Sequence, residues 1–274
     1  AGVEYEKAIE YYKEKLVDFE KVVSTAQQSD VVILCLGENS YTEGPGNLND
    51  LQLSDLQIEL AREVAKAGKP VVLVLNEGRP RVIAKIEPLC AGVLQTYLPG
   101  NYGGDALAHI LSGKVNPSGR LPYTYPKAPN SLGTYYHKPS EVVKTMAGVY
   151  NYGGDFAPQY TFGSGLSYTT FEYANMKVSK SEFTAADELT VTVDVKNTGK
   201  MRGKEVVMLF SSDVYASLTP DSKRLRRFQK IDLQVGETKT VTFQLTANDL
   251  AFVNLKNQWV TEAGEFELTI ANQL

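Results

Sequence analysis

The carboxylates best placed to do chemistry lie in two glycine-containing loops. Glu38 and Glu43 belong to the segment Gly37–Asn47, which also carries Tyr41, and Glu77 lies in a second loop. Paired carboxylates can serve as general acid and base, and an aromatic ring beside them suits contact with a sugar. A general acid must be protonated when it acts, which calls for partial burial or a neighbouring carboxylate. Spacing alone does not decide between Glu38 and Glu43.

The elements that position these loops are typical of a parallel α/β sheet. Val31–Leu36 and Val71–Leu75 are short apolar runs, as expected of strands buried on both faces. The loop with Glu38 and Glu43 follows the first run, and the loop with Glu77 follows the second. Open α/β sheets bind ligands at the carboxyl ends of their strands. Between the runs, residues 54–67 predict a helix with Ser54 as its N-cap and Gly68 just past its end. We therefore expect the three carboxylates at one edge of the sheet.

The neighbouring segments extend this pattern in both directions. The sequence predicts a short helix at 80–86, a third strand at 92–97 and a helix at 103–112, and this alternation implies right-handed crossovers. Apolar residues over 4–28 recur every three or four positions, which predicts a core-facing amphipathic helix or two shorter ones. Glycine, proline, asparagine and tyrosine dominate residues 113–168, a loop region long enough to be functional or to wrap another surface.

From about residue 169 the pattern changes to strict alternation of apolar and polar residues, as in Leu189–Lys196 and Val241–Leu245. Short alternating strands separated by turn signals are typical of an antiparallel sandwich of immunoglobulin or fibronectin type. The predicted fold class is α/β, with an open, mostly parallel sheet flanked by helices, followed by an all-β sandwich. The predicted domains are 1–168 and 169–274. We expect Trp259, the only tryptophan, to be a packing or interface residue.

Composition excludes several classes of function. A formal charge of −4 and a pI near 5.4 argue against a nucleic-acid partner, and no apolar run approaches the roughly 18 residues that span a membrane. His109 and His137 have no second ligand at a metal-site spacing, and no nucleotide-binding glycine motif is present, so we expect neither metal nor cofactor. Cys35 and Cys90 lie in apolar runs and are expected to be buried thiols.

Five ordered motifs resemble glycoside hydrolase family 3. They are Gly37-Glu38-x-x-Tyr41-Thr42-Glu43-Gly44-x-Gly46, Leu75-Asn76-x-Gly78-Arg79-Pro80, Pro99-Gly100-x-x-Gly103-Gly104-x-Ala106, Gly113-x-x-Asn116-Pro117-Ser118-Gly119-Arg120-Leu121-Pro122 and Phe162-Gly163-x-Gly165-Leu166-Ser167-Tyr168-Thr169-Thr170-Phe171. The sandwich is similar to that family's fibronectin type III-like domain. The resemblance covers about residues 17–274. It identifies residues 1–168 as the family's C-terminal α/β sandwich domain, incomplete at its N-terminus.

The resemblance implies a retaining, exo-acting β-glycosidase of the β-glucosidase or β-xylosidase type. Glu43 matches the general acid/base, Glu38 matches a recurrent non-catalytic position, and Tyr41 is a candidate substrate-binding residue. The family's Asp nucleophile lies on an N-terminal (β/α)8 barrel, which this chain does not contain.

We therefore expect the chain alone to be inactive and to pair with that barrel. The expected substrate is a small oligosaccharide or β-glycoside, and the expected location is periplasmic or extracellular. The alternative interpretation is a non-catalytic carbohydrate-binding or scaffolding module.

Overall fold

The computed structural model describes residues 2–4, 9–10, 15–16, 18–39, 46–129, 133–139, 145–146, 152–153 and 157–271. The chain forms two compact units. Ala1–Ala108 and Pro126–Leu132 make up the first, called here the α/β unit, and His109–Tyr125 and Gly133–Leu274 make up the second, the sandwich unit. The two units do not coincide with the predicted domains 1–168 and 169–274, and the boundary at residue 168 stays a prediction.

The described strands and α-helices up to residue 111 include the three strands predicted for the sheet and the helices predicted at 54–67 and 103–112. In chain order they are β1 (Ile9–Glu10), β2 (Lys15–Leu16), α1 (Phe19–Gln28), β3 (Val32–Gly37), α2 (Asp55–Ala65), β4 (Val71–Asn76), β5 (Gly92–Gln95) and α3 (Gly103–Leu111). Strands β3, β4 and β5 form a parallel sheet in that order, with β4 in the centre. Leu73 and Leu75 of β4 are fully buried, as expected of a central strand in a parallel sheet.

Helix α2 supports the sheet and begins where the sequence predicts. The Ser54 hydroxyl accepts a hydrogen bond from the Gln57 N–H at 3.3 Å, which caps the helix. Four residues of α2 are buried, among them Ile58 and Val64. Because these apolar residues are spaced three or four positions apart, one face of the helix packs into the core while the other stays polar.

Two predicted helices differ from the structure. The helix predicted over 4–28 begins only at Phe19, because Asp18 caps it by accepting a hydrogen bond from the Lys21 N–H at 2.9 Å, and β1 pairs with β2 upstream. The segment 80–86 is not a regular helix; a single 3₁₀ turn follows it at Glu87–Leu89, with Pro88 in its first turn.

The sandwich unit confirms the predicted antiparallel β architecture. Its strands are β6 (Thr145–Met146), β7 (Tyr152–Gly153), β8 (Phe171–Val178), β9 (Glu188–Asn197), β10 (Gly203–Asp213), β11 (Arg224–Leu233), β12 (Thr238–Thr246), β13 (Phe252–Val253), β14 (Trp259–Val260) and β15 (Phe266–Ala271). Two antiparallel sheets, β12-β9-β8 and β11-β10-β15, contribute to one apolar core. The alternating side chains of β9 and β12 supply that core, as their period-two pattern predicts.

Two of the recognised glycine-rich motifs meet within the sandwich unit. The Leu121 N–H donates to the Ser164 carbonyl at 2.9 Å, and the Gly163 N–H donates to the Leu121 carbonyl at 2.8 Å. The Asn116 amide oxygen accepts from the Ser167 hydroxyl at 2.9 Å and from the Tyr168 N–H at 2.8 Å. The described ends of the glycine- and tyrosine-rich stretch therefore pair with each other.

The prediction that both cysteines are buried is wrong for Cys35. Strand β3 lies at the edge of the described sheet, and the Cys35 side chain is exposed, whereas Cys90 is half-buried. Ile33, two residues earlier on the same face, is 40% exposed. An apolar run thus indicated a strand correctly but not which of its faces is covered.

Candidate active site

The predicted edge of the sheet brings the ends of two loops together. Strands β3 and β4 are in parallel register, so that Gly37 pairs with Asn76 where both strands end. The Glu38 N–H then donates to the Asn76 carbonyl at 3.0 Å. Gly37 has φ +140°, and a Cβ at this position would stand 2.1 Å from the Asn76 carbonyl oxygen. Glycine is therefore required where the first loop leaves the sheet.

The side chain of Gln57 on α2 holds the same exit. Its amide oxygen accepts from the Gly37 N–H at 2.9 Å, and its amide nitrogen donates to the Gly37 carbonyl at 3.0 Å. Both backbone polar groups of Gly37 are satisfied by one side chain, as a partly buried peptide requires. The beginning of the first loop is thus fixed to the helix as well as to β4.

Glu38 is engaged by two arginines of the second loop. Arg79 Nε and Arg81 Nη1 both donate to Glu38 Oε1, at 3.0 and 3.1 Å, and the Glu38 side chain is only 9% exposed. Charge-assisted hydrogen bonds of this kind are among the stronger ones in proteins. The carboxylate is held within the protein, an arrangement that suits a structural role better than proton transfer to a substrate.

Glu77 is also turned into the protein. Its side chain is fully buried, and its Oε1 accepts from the Arg81 N–H at 3.2 Å. The backbone carbonyl of Glu77 accepts from the Gln95 side-chain amide at 3.4 Å. A carboxylate without solvent access cannot reach a substrate unless the loop rearranges, so these contacts favour a role in shaping the second loop.

Glu43 and Tyr41 lie outside the described residues, but the segment that carries them is bounded by anchored residues. On its N-terminal side stand Gly37 and Glu38, held as described above. On its C-terminal side Gly46 is buried, and its carbonyl accepts a hydrogen bond from Arg79 Nη1. The arginine that binds Glu38 therefore also binds Gly46.

Sequence reasoning missed the contributions of Gln57, Arg79 and Arg81. Arg79 belongs to one of the recognised motifs, and two arginines two positions apart after a strand were a signal that acidic partners lie nearby. No local pattern pairs them with Glu38, which lies 41 and 43 residues away from them in the chain.

Membrane-spanning helices and metal-binding clusters are both absent from the part of the chain that the structure describes. None of its helices is long and apolar enough to cross a membrane. No cluster of three or more His, Cys, Asp or Glu side chains among these residues could hold a metal ion.

Two family models match the chain. Residues 3–168 match the glycosyl hydrolase family 3 C-terminal domain, and residues 205–273 match the fibronectin type III-like domain. The first match covers more than half of the chain, and the two matches fall in the order predicted for the α/β and sandwich parts.

Individual proteins show the same similarity. A lysosomal β-glucosidase of Dictyostelium discoideum is 40% identical over 93% of this chain and 31% of its own length. A β-xylosidase of Formosa agariphila is 38% identical over 92% of this chain and 35% of its own length. The crystal structure of a β-glucosidase from Listeria innocua in complex with gluconolactone superposes with a TM-score of 0.85 at 33% identity, over 98% of this chain and 38% of that one. The chain spans about a third of the length of these relatives.

Proposed function

The chain belongs to glycosyl hydrolase family 3, and we propose that it supplies the general acid/base, Glu43, of a retaining, exo-acting β-glycosidase of the β-glucosidase type. The substrate in this proposal is a small oligosaccharide or β-glycoside with a terminal, non-reducing β-linked sugar. The Asp nucleophile is contributed by an N-terminal barrel of the same enzyme. Tyr41, two residues before Glu43, is proposed to contact the sugar.

The observation that carries this proposal is the placement of Glu38 and Glu77, the other two loop carboxylates. Two guanidinium groups hold Glu38, and Glu77 is fully buried. The segment with Glu43 leaves the carboxyl edge of the parallel sheet, the location at which open α/β sheets bind ligands. Its anchored flanks suit a catalytic loop, because a catalytic group has to be held close to its productive position.

In this reaction Glu43 acts twice. As the Asp carboxylate attacks the anomeric carbon, protonated Glu43 gives its proton to the glycosidic oxygen, so that the aglycone leaves as an alcohol. The ionised Glu43 then takes a proton from water while the water oxygen attacks the anomeric carbon of the glycosyl-enzyme, and the bond from that carbon to the Asp carboxylate breaks. The two carboxyl groups have to lie about 5–5.5 Å apart for this mechanism.

The partner in the proposal is the N-terminal barrel. Strand β3 forms an edge of the described sheet, and Val31 and Ile33 at this edge are 46% and 40% exposed. Exposed apolar edges of this kind favour association with another polypeptide.

For the location of the enzyme we propose the periplasm or the extracellular space. Fractionation of cells that express the full-length protein would test this location.

The assignment of the acid/base to this chain and of the nucleophile to the barrel is tested with two proteins, this chain alone and the full-length enzyme. The substrates are an aryl β-glucoside and an aryl β-xyloside. We expect turnover by the full-length enzyme only, because the nucleophile and most sugar contacts are assigned to the barrel. Full activity of the isolated chain on either substrate would contradict the proposal.

The role of Glu43 is tested by Glu43→Ala and Glu43→Gln in the full-length enzyme. General acid catalysis contributes about 10²–10⁴-fold to rate, so both variants should lose activity by about that factor on an alkyl glycoside. The loss in kcat/KM should shrink on a dinitrophenyl glycoside, whose leaving group departs without protonation. Nearly normal turnover of the alkyl glycoside by Glu43→Ala would refute the assignment.

One observation favours the alternative, a carbohydrate-binding module. Trp259 of β14 is 69% exposed, and exposed aromatic rings can stack on sugars. This alternative predicts that the isolated chain binds soluble β-glucans in calorimetry and that Trp259→Ala abolishes the binding. The absence of binding at millimolar sugar would exclude it.

A further inference from the structure

We infer that Arg79 is a positioning residue for the acid/base loop, holding the two ends of the segment that carries Glu43, with Glu38 as its counter-charge. This inference rests on the proposed function, because it gives Arg79 a part in catalysis only through Glu43. It assigns to the Arg79–Glu38 pair a purpose beyond stability, namely control of where the loop carboxyl lies.

The geometry of Arg79 carries the inference. Its Nε donates to Glu38 Oε1 at 3.0 Å, while its Nη1 donates to the Gly46 carbonyl on the other side of the segment. The Arg79 side chain is 27% exposed and that of Glu38 is 9% exposed, so this bridge is largely shielded from water. A single guanidinium therefore contacts both described flanks of the loop.

The rest of the second loop holds Arg79 and Glu38 in place. Arg81 Nη1 donates to the same Glu38 oxygen at 3.1 Å, and Arg81 Nη2 donates to the Gln52 carbonyl. The Arg81 N–H in turn donates to buried Glu77 at 3.2 Å. Arg79 and Arg81 thus both bind the Glu38 carboxylate. The carboxylate in turn holds the Arg79 guanidinium where it can donate to the Gly46 carbonyl.

The bridge depends on the shape of arginine as well as on its charge. The planar guanidinium presents several donors in a fixed fork, whereas a lysine ammonium is a point charge on a flexible stem. Lysine at position 79 can pair with Glu38 but cannot reproduce both contacts in the same geometry. Because misplacement of a reacting group by about 1 Å can cost about 10²-fold in rate, we expect Arg79→Lys to impair proton transfer while the enzyme remains folded.

The test uses Arg79→Lys, Arg79→Ala and Glu38→Gln in the full-length enzyme, with Glu43→Ala beside them. The control is Val64→Ala, which removes a buried side chain of α2 that has no part in the loop contacts. We measure kcat and KM for aryl and alkyl β-glucosides with good and poor leaving groups, and thermal unfolding for every variant. Both Arg79 variants should lose about 10–100-fold in kcat/KM on the poor leaving group, with much smaller losses in kcat/KM on the good one, because kcat/KM reports the step in which the leaving group is protonated. Val64→Ala should lower thermal stability without this leaving-group dependence.

The leaving-group dependence of the variants distinguishes a failure of the positioning role from a failure of the proposed function. If Glu43→Ala shows leaving-group dependence and the folded Arg79 and Glu38 variants do not, the proposed function survives and the positioning role is overturned. If Glu43→Ala itself shows none, the proposed function has failed. If Arg79→Ala does not fold, Arg79→Lys and Glu38→Gln provide the test. Losses in kcat/KM that are equal on all leaving groups in these two variants refute the inference.

Discussion

Replacing Arg120 by methionine should destabilise the sandwich unit far more than removing an exposed ion pair. Arg120 Nη2 lies 2.6 Å from Oε2 of Glu205, whose side chain is fully buried while that of Arg120 is 9% exposed. Tyr173 donates its hydroxyl to Glu205 Oε1 at 2.8 Å, and Arg120 Nη1 donates to the Gly165 carbonyl. Burial and, next, the negative charge of Glu205 raise the pKa of Tyr173 well above its usual range.

The expected magnitude follows from this burial. Breaking a buried pair by removing one partner costs about 3–5 kcal/mol, because the remaining charge stays buried without compensation. The exposed pair of Arg202 and Asp232, with two contacts at 2.9 and 2.6 Å and a 62% exposed arginine side chain, should contribute far less, because water and salt screen the two charges. At about 2–4 °C per kcal/mol for a unit of this size, Arg120→Met should lower Tm by about 6–20 °C.

The assay is thermal and urea unfolding of the isolated chain, followed by near-ultraviolet circular dichroism, for Arg120→Met and for Arg202→Met as the matched control. The double variant Arg120→Met with Glu205→Gln removes both charges and leaves an acceptor for the Tyr173 hydroxyl. It should be more stable than Arg120→Met alone. The reasoning is refuted if Arg120→Met shifts Tm as little as Arg202→Met, or if the double variant is the least stable of the three.

Three further predictions concern local features. Gly37→Ala should destabilise the α/β unit by about 1–3 kcal/mol or more, because it forces an unfavourable φ and a clash with the Asn76 carbonyl. Ser54→Ala should cost about 1 kcal/mol by removing the N-cap of α2. Asp249 should contribute stability to the sandwich unit above pH 4 that is lost as the pH falls. Burial opposes ionisation, but hydrogen bonds led by that from Arg227, with Nη2 at 2.7 Å, lower the pKa of Asp249 below the unfolded value of about 3.9.

Each of these has a matched control, and urea unfolding measures all three. Gly104→Ala has open space for its Cβ on α3 and should be neutral; equal losses for both glycines would contradict the clash argument. Ser54→Asp keeps a capping oxygen and should retain most of the stability that Ser54→Ala loses. Asp249→Asn should flatten the stability profile of the sandwich unit below pH 4, and an unchanged profile would show that this carboxylate contributes nothing there.

The sequence predicted the fold class because its signals are local. Apolar runs at 31–36 and 71–75, each followed by a glycine-containing loop, indicated strands of a parallel sheet, and the period-two pattern at 189–196 indicated the sandwich. The cap at Ser54 lay where a hydroxyl stands directly before an apolar periodic segment. The helix predicted over 4–28 is wrong upstream of Phe19, because Asp18 caps the helix there. The spacing of apolar residues carries no information about such a cap.

Burial and pairing were decided by the tertiary structure. Cys35 lies in an apolar run yet is exposed, because β3 is an edge strand of the described sheet and nothing in the run itself specifies its neighbours. Likewise Arg120 belongs to a motif recognised by family resemblance, but its partner Glu205 is 85 residues away and meets it only through the fold of the sandwich unit.

The loop carboxylates show the same division. The sequence by itself placed Glu38, Glu43 and Glu77 after parallel strands and so at one edge of a sheet, because strand position and direction follow from local hydrophobic patterns. Only the tertiary structure decided that Arg79 and Arg81 bind Glu38 and that Glu77 is buried. Those contacts depend on the register between β3 and β4, a long-range property set by how the whole sheet packs rather than by any short stretch of residues.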